Sequence, residues 1–261
     1  MIPDDKKKII KRIVKLFYSN VKGKKPETSS SNLGHDGKGG HWLENQMGIS
    51  HNADNAPDLW GFEMKNNTSV KTTFGDWSAD YYIYTDNKYF AKNKVIANRD
   101  RFMEIFGASN VLKNNRYAWS GKPAPKVGSY NEFGQKLLID KSSNILAVYS
   151  FKADKRKNKN DIVPHIMRNQ RIVLAKWDAK ILAQKVERKF NKLGWFKCLQ
   201  DETGVYSNII FGGPINFESW IDGVKKGLII FDSGMHVGNV RPYSNWRANN
   251  KYWNSLILEK Y

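Results

Sequence analysis

Two carboxylates and an ammonium group fall within the stretch PDLWGFEMK: Asp58, then Glu63 and Lys65 of a Glu-Met-Lys triplet. They are set among Leu59, Trp60, Phe62 and Met64, company in which charges are seldom buried without a partner or a bound ion. Side chains alternate along a strand, so Glu63 and Lys65 face one side and a straight strand sends Asp58 to the other. A turn or bulge at Gly61 folds the chain back and lets Asp58 converge on Glu63. Converging carboxylates repel, and a hard divalent cation such as Mg²⁺, which takes oxygen ligands, offsets the repulsion. Such a metal polarises a scissile phosphate and lowers the pKa of bound water. A neighbouring lysine holds that water and offsets the charge developing on phosphorus. The same triplet also reads as a plain charge pair on an exposed strand.

Elements that position these groups follow from the periodicities. Ile9, Ile10, Ile13, Val14 and Phe17 recur at helical spacing and predict an amphipathic helix docked on a core. Gly34 to Ile49 reads as a glycine loop running into a helix that carries Glu44, and Asp58 to Thr73 as strands with turns. Trp77–Tyr84, Asn144–Lys152, Trp195–Leu199, Val205–Phe211 and Leu228–Asp232 read as strands. Helices are expected at Asn98–Phe106, over a long span from Arg171 to Leu193, and at Phe217–Lys226. Tyr117–Phe133, Lys152–Lys159 and Ser233–Asn250 read as loops, the second most simply solvated and otherwise an arm for phosphates. Lys185, Arg188, Lys189 and Lys192 share one face of the long helix, a solvated face or a track for a nucleic-acid backbone. Mixed strands and helices in this order give an α/β or α+β domain.

Charge narrows the partner. Lys plus Arg number 43 against 25 acids, a formal charge of +18, which favours a polyanion and nucleic acid before membrane. No apolar run reaches transmembrane length, and the first residues are too charged for a signal peptide. The single cysteine, Cys198, excludes an internal disulfide framework and a cysteine zinc site, suits a reducing cytoplasm, and reads as inert core. His35, His41, His51 and His165 lack metal-ligand spacing, and only His41 is placed near DNA. The glycine loop is no nucleotide site, because Lys38 is followed by Gly39 rather than Ser or Thr. Its backbone amides suit a DNA phosphate, or it simply caps a helix. In Ser233–Asn250, Arg241 and Arg247 have the reach to span guanine O6 and N7, and His236 to inspect a base pair. Lys225 and Lys226 at a helix end could read or neutralise. The alternative makes Tyr243 and Trp246 core and gives the arginines to salt bridges.

These residues carry a resemblance. An Asp, a short gap, then Glu-x-Lys is the pattern of the PD-(D/E)xK nucleases. Gly40-His41-Trp42-Leu43-Glu44 followed by Asp58 and Glu63-Met64-Lys65 resembles the MutH-like group. The late stretch from Ser233, with Asn239, Arg241-Pro242-Tyr243-Ser244 and Trp246-Arg247, looks like that of the monomeric MvaI/BcnI-type restriction endonucleases. The resemblance implies an α/β, restriction-endonuclease-like fold with a mixed central sheet flanked by helices and a DNA-reading C-terminal region. It implies one domain over 1–261, divided into a catalytic lobe near 1–150 and a recognition lobe near 151–261 around a DNA cleft. It makes Asp58 and Glu63 ligands of Mg²⁺, Lys65 the group that positions water, and Glu44 an assistant from its helix. Lys38, His41, Lys225, Lys226, His236, Asn239, Arg241, Tyr243 and Arg247 become DNA contacts. It further implies a bacterial cytoplasmic monomer that nicks one strand of double-stranded DNA at a time, at a short CC-x-GG-like pseudo-palindrome, and a cognate DNA methyltransferase in the same system. A repair nickase activated by a partner, and a DNA-binding protein whose triplet is structural, are the alternatives.

Overall fold

The computed structural model describes residues 4–26, 38–49, 55–66, 68, 70–169 and 171–261. Helix α1 (Asp4–Asn20) buries Ile10, Ile13 and Phe17, as the helical spacing predicts, with Asp4 and Asp5 in its first turn. Helix α2 (Lys38–Gln46) carries Glu44, and β1 (Phe62–Asn66) carries the triplet. Strand β2 (Lys71–Asp76) and the short β3 (Tyr81–Tyr82) follow, then α3 (Val95–Phe106), β4 (Ala108–Asn110) and β5 (Arg116–Ala118). The long hairpin of β6 (Phe133–Ile139) and β7 (Ile145–Asp154) leads through the one-turn α4 (Lys159–Ile162) to β8 (Ile172–Trp177) and α5 (Ala179–Phe190). Strands β9 (Gly194–Gln200) and β10 (Tyr206–Gly212), helix α6 (Phe217–Lys225), strands β11 (Ile229–Phe231) and β12 (Asn245–Asn249), helix α7 (Asn250–Ser255) and strand β13 (Ile257–Lys260) complete the chain.

These elements form two compact units, each assembled from separate stretches. The first comprises residues 1–72, 185–217 and 249–261, the second 73–184 and 218–248. Each unit is discontinuous in sequence because strands distant in the chain pair into the same sheet.

In the first unit, β1 runs parallel to β9, and β9–β10 and β10–β13 are antiparallel, giving the mixed sheet expected of the fold. Alternation gives this sheet two different faces. Phe62, Met64, Phe196, Cys198, Ile209 and Phe211 pack with Ile10, Ile13 and Phe17 of α1 and Leu43 of α2 into one apolar core. Burial there pushes the Cys198 thiol well above its ordinary pKa, as an inert core cysteine requires. Glu63, Lys65, Trp195 and Lys197 occupy the alternate positions, with Glu63 opposite Trp195 and Lys65 opposite Lys197 in the parallel register.

The second unit holds the antiparallel sheet β3-β8-β7-β6, the sheet β11-β12-β2 and the ribbon β4-β5. Its core is aromatic: Trp177 packs edge-on to Phe231 and Trp246, and Trp119 to Phe102 and Phe231.

Four expectations are corrected. The span Arg171–Leu193 is not one helix: β8, rich in β-branched and aromatic residues, buries Ile172, Leu174, Ala175 and Trp177. Asp178 then starts α5 by accepting a hydrogen bond from the Lys180 amide at 2.9 Å. Ser233–Asn250 is not loop throughout, since its end pairs with β11 as strand β12. Trp77–Tyr84 is strand only at Tyr81–Tyr82 and then tightens into a 3₁₀ turn at Ile83–Thr85. The basic run after Phe151 is not freely solvated: Asp154 is buried, and Arg156 binds it at 2.6 Å while donating to the Ile105 carbonyl.

Candidate active site

The site is built on a two-residue turn. Leu59 and Phe62 exchange both backbone hydrogen bonds at 2.9 Å, so Trp60 and Gly61 form the tip of a tight hairpin. Both have positive φ, 47° and 92°, the combination of a type I′ turn. Glycine adopts that conformation without strain, and Leu193, whose amide donates to the Gly61 carbonyl at 3.0 Å, crowds the position where a side chain would begin. The turn folds Asp58 back alongside β1, where its Oδ2 accepts the Met64 amide at 2.8 Å. The kink proposed from Gly61 is therefore real, and it brings Asp58 near enough for its charge to act on Glu63.

Glu63 is 2% exposed. Its Oε1 receives two ammonium groups, Lys65 Nζ at 2.6 Å and Lys189 Nζ at 3.1 Å. Its Oε2 is buried with no hydrogen-bond partner. Burial pushes the Glu63 carboxyl above its usual range, against the pull of Lys65 and Lys189, and the Asp58 charge adds to the push. Burial pulls Lys65 below its ordinary value, with Glu63 opposing. Behind them Lys197 is buried beside Lys65 and donates to Thr72 Oγ1 at 2.8 Å, and desolvation pulls its pKa down to about 7. Phe190 and Trp253 cover the lysines, with Lys65 5.2 Å from the first ring centroid and Lys197 5.0 Å from the second.

A buried carboxylate oxygen without a donor is an expensive feature. Together with the nearby Asp58 it is a set of hard oxygen donors that fits a small divalent cation. Among the described residues no three of His, Cys, Asp and Glu cluster as ligands. Glu44 is therefore not a third ligand in a cluster with Asp58 and Glu63. Glu44 lies 3.4 Å from His41 Nδ1 on α2. That helix approaches β1 so closely that a side chain at Gly40 would meet the Asn66 amide.

Lys189 was missed as a site residue. It lies on the basic face expected to be solvated, yet α5 turns its ammonium onto Glu63. The only signal was its place beside Phe190, whose burial fixes the inward side of the helix.

Of the expected DNA contacts, His236, Asn239, Arg241, Tyr243 and Arg247 fall on one segment of the second unit. His236 and Asn239 hold each other: the His236 amide donates to Asn239 Oδ1 at 2.6 Å, and the side chains meet at 3.0 Å. Arg241 is exposed, binds Asp76 at 2.5 Å and lies over the Tyr243 ring at 4.4 Å. Arg247 is half-buried on β12 with its Nε lacking a hydrogen-bond partner. Trp246 belongs to the core. Lys225 is exposed at the end of α6, and Lys226 pairs with Asp222 at 2.6 Å. His41 is exposed, whereas the Lys38 side chain, Gly34 to Gly37 of the glycine loop, and His51 lie outside the described residues. His165 contacts Arg168. Among the described residues no helix is long and apolar enough to cross a membrane.

Comparison with known proteins identifies the fold and the family. Over its full length the chain superposes on 99% of the restriction endonuclease MvaI, in a complex with cognate DNA substrate, with a TM-score of 0.62 and 13% identity, a likeness of fold. It is 47% identical to the type II restriction enzyme ScrFI of Lactococcus lactis subsp. cremoris, over 95% of this chain and 97% of that protein. Residues 21–261 match the model of the LlaMI restriction endonucleases. The chain belongs to the LlaMI restriction endonuclease family.

Proposed function

We propose that this chain is a type II restriction endonuclease that hydrolyses double-stranded DNA with Mg²⁺ at a short CC-x-GG-like pseudo-palindrome, nicking one strand at a time as a monomer. Family membership and the relative named a type II restriction enzyme support the class of reaction. The observation that carries the chemistry is the buried Glu63 carboxylate, with Lys65 and Lys189 on one oxygen and the other oxygen left without a donor.

Asp58 and Glu63 would hold the cation, which when bound supplies Lewis acidity at the scissile phosphate and a more acidic water. The chain's own groups do the rest. Lys65 holds the attacking water and stabilises negative charge accumulating on the phosphate oxygens. Lys189 keeps the Glu63 carboxylate ionised and oriented. Glu44 assists from α2. The buried setting around Glu63 strengthens each of these electrostatic terms relative to water.

The second unit reads sequence. Arg241 and Arg247 take guanine edges, His236 and Asn239 the central pair, Tyr243 supports the Arg241 guanidinium, and Lys38, His41, Lys225 and Lys226 neutralise phosphates. The MvaI structure holds cognate DNA, which supports duplex DNA as the partner. Such an enzyme works in the bacterial cytoplasm beside a methyltransferase that protects the host sites.

Plasmid cleavage in Mg²⁺ and in EDTA tests the proposal, followed by sequencing of the ends. Discrete fragments with CC-x-GG ends, formed through a nicked intermediate and lost in EDTA, are expected. Binding without cutting in Mg²⁺ would make the triplet structural. Cutting only after another protein is added would indicate a repair nickase.

A further inference from the structure

We propose that the β4–β5 ribbon is a DNA-probing finger whose apolar tip, Val111 and Leu112, enters the major groove while Lys113 and Arg116 contact the flanking phosphates. The inference rests on duplex DNA being the partner of this chain.

The ribbon pairs Ala108 with Ala118, Ser109 with Tyr117 and Asn110 with Arg116. Val111–Lys113 form a 3₁₀ turn at its end, fixed by Asn110 Oδ1 accepting the Leu112 amide at 3.0 Å. Asn114 and Asn115, at φ 53° and 56°, turn the chain back. Asparagine is among the few residues that tolerate that region. The result exposes Val111 at 79% and Leu112 at 92%. Two aliphatic side chains held at the tip of an ordered turn have no folding reason to be there. Residues 108–118 contain Lys113 and Arg116 and no acid, so the flanks suit a polyanion.

The base of the ribbon is stiff. Gly107 leaves α3 against the Met103 and Ala118 carbonyls, with no room for a side chain. Trp119 is buried and donates to Gln135 Oε1 at 2.7 Å, and Gln135 donates to the Phe106 carbonyl at 2.6 Å. A finger that must resist the groove needs such a root.

The ribbon is also continuous with the base-reading segment. Ala118 bridges to His236, the Val237 amide donates to Tyr117 at 3.0 Å, and the Trp119 amide donates to Met235 at 2.9 Å. Arg99 of α3 donates to the Asn239 carbonyl. The loop carrying His236 and Asn239 is therefore bridged to the base of β5, so a groove that receives that loop lies beside the ribbon. Three strand residues reach about 10 Å, enough for a major groove roughly 8.5 Å deep that admits a two-stranded ribbon. There aliphatic side chains meet pyrimidine C5 edges. A second copy of the chain is the weaker occupant, because two side chains cover far less than the ~800 Å² per partner of a stable interface.

The test measures duplex affinity in EDTA, using a fragment that contains the site mapped from wild-type cleavage ends. Two variants are used, Val111→Ser with Leu112→Ser, and Lys113→Gln with Arg116→Gln. The apolar variant is expected to raise Kd roughly tenfold with the salt slope unchanged. The basic variant is expected to reduce the slope of log K against log salt by about one per residue removed. Wild-type cutting together with both variants binding within twofold and with the wild-type slope would overturn the inference alone. So would a concentration-dependent wild-type dimer that the apolar variant abolishes while its DNA affinity stays unchanged. A wild type that neither binds nor cuts DNA would overturn the proposed function and this inference with it.

Discussion

Strand β1 and the segment Ser233–Asn249 both carry charged residues that invite a functional interpretation, yet the fold treats them differently. On β1 the alternation of the strand and one hairpin turn decide where every side chain goes. Phe62 and Met64 enter the core, Glu63 and Lys65 face the other way together, and Asp58 is folded back by Gly61. In the later segment each side chain answers to a partner distant in sequence. Arg241 meets Asp76, Trp246 joins Trp177 and Phe231, and His236 pairs with Asn239 beside β5. Side-chain placement follows from local geometry in the first region and from tertiary contacts in the second.

Substitutions in the two regions test that contrast. The largest effect is expected at the turn-and-strand site. Asp58→Ala should lower the single-turnover cleavage rate by at least about 10³-fold while duplex affinity stays within a few-fold. Retained cleavage would remove Asp58 from the site. Lys189→Met should cost roughly 10²-fold in rate, with Lys189→Arg recovering part of it and the optimum Mg²⁺ concentration shifting. A merely structural lysine would lower thermal stability and leave the metal dependence untouched. For the second region, Arg241→Ala should reduce discrimination between the cognate site and a one-base variant by about 5- to 100-fold if it reads a base. If it serves only its exposed pair with Asp76, competition binding should show about fivefold or less.

The smallest effect concerns stability. Lys197 is held near pKa 7 by burial, below its unfolded value. Between those values the unfolded chain binds more protons, so the stability contribution rises with pH across the window, and the cost of burial is greatest below pH 7. Lys197→Met should therefore raise Tm by a few degrees at pH 6.5 and by progressively less toward pH 10. A pH-independent gain would mean that Lys197 is charged in the folded protein throughout.

The same contrast explains what the sequence revealed. The helical spacing of Ile10, Ile13 and Phe17, the alternation of β1, and the turn at Gly61 are local and were legible. The mixed sheet was expected from the family resemblance, but its strand order was not, because β1 pairs with β9 across more than half the chain. Helical character was extended wrongly back to Arg171 because β8 and α5 are both apolar-periodic, and only the capping Asp178 separates them. Lys189 was hidden because the basic face of α5 looks uniform in sequence. The exposed residues of that face and the one that binds Glu63 are all cationic, and only the packing of Phe190 sorts them.

Asp58 and Glu63 are expected to share a divalent cation at the scissile phosphate. Crystals grown with duplex DNA and Mn²⁺, examined by anomalous diffraction, test it most directly. A peak is expected between the Asp58 carboxylate and Glu63 Oε2, with Lys65 Nζ within reach of the phosphate. Fully occupied DNA with Mn²⁺ bound elsewhere, or with Asp58 and Glu63 ligating nothing in common, would contradict it.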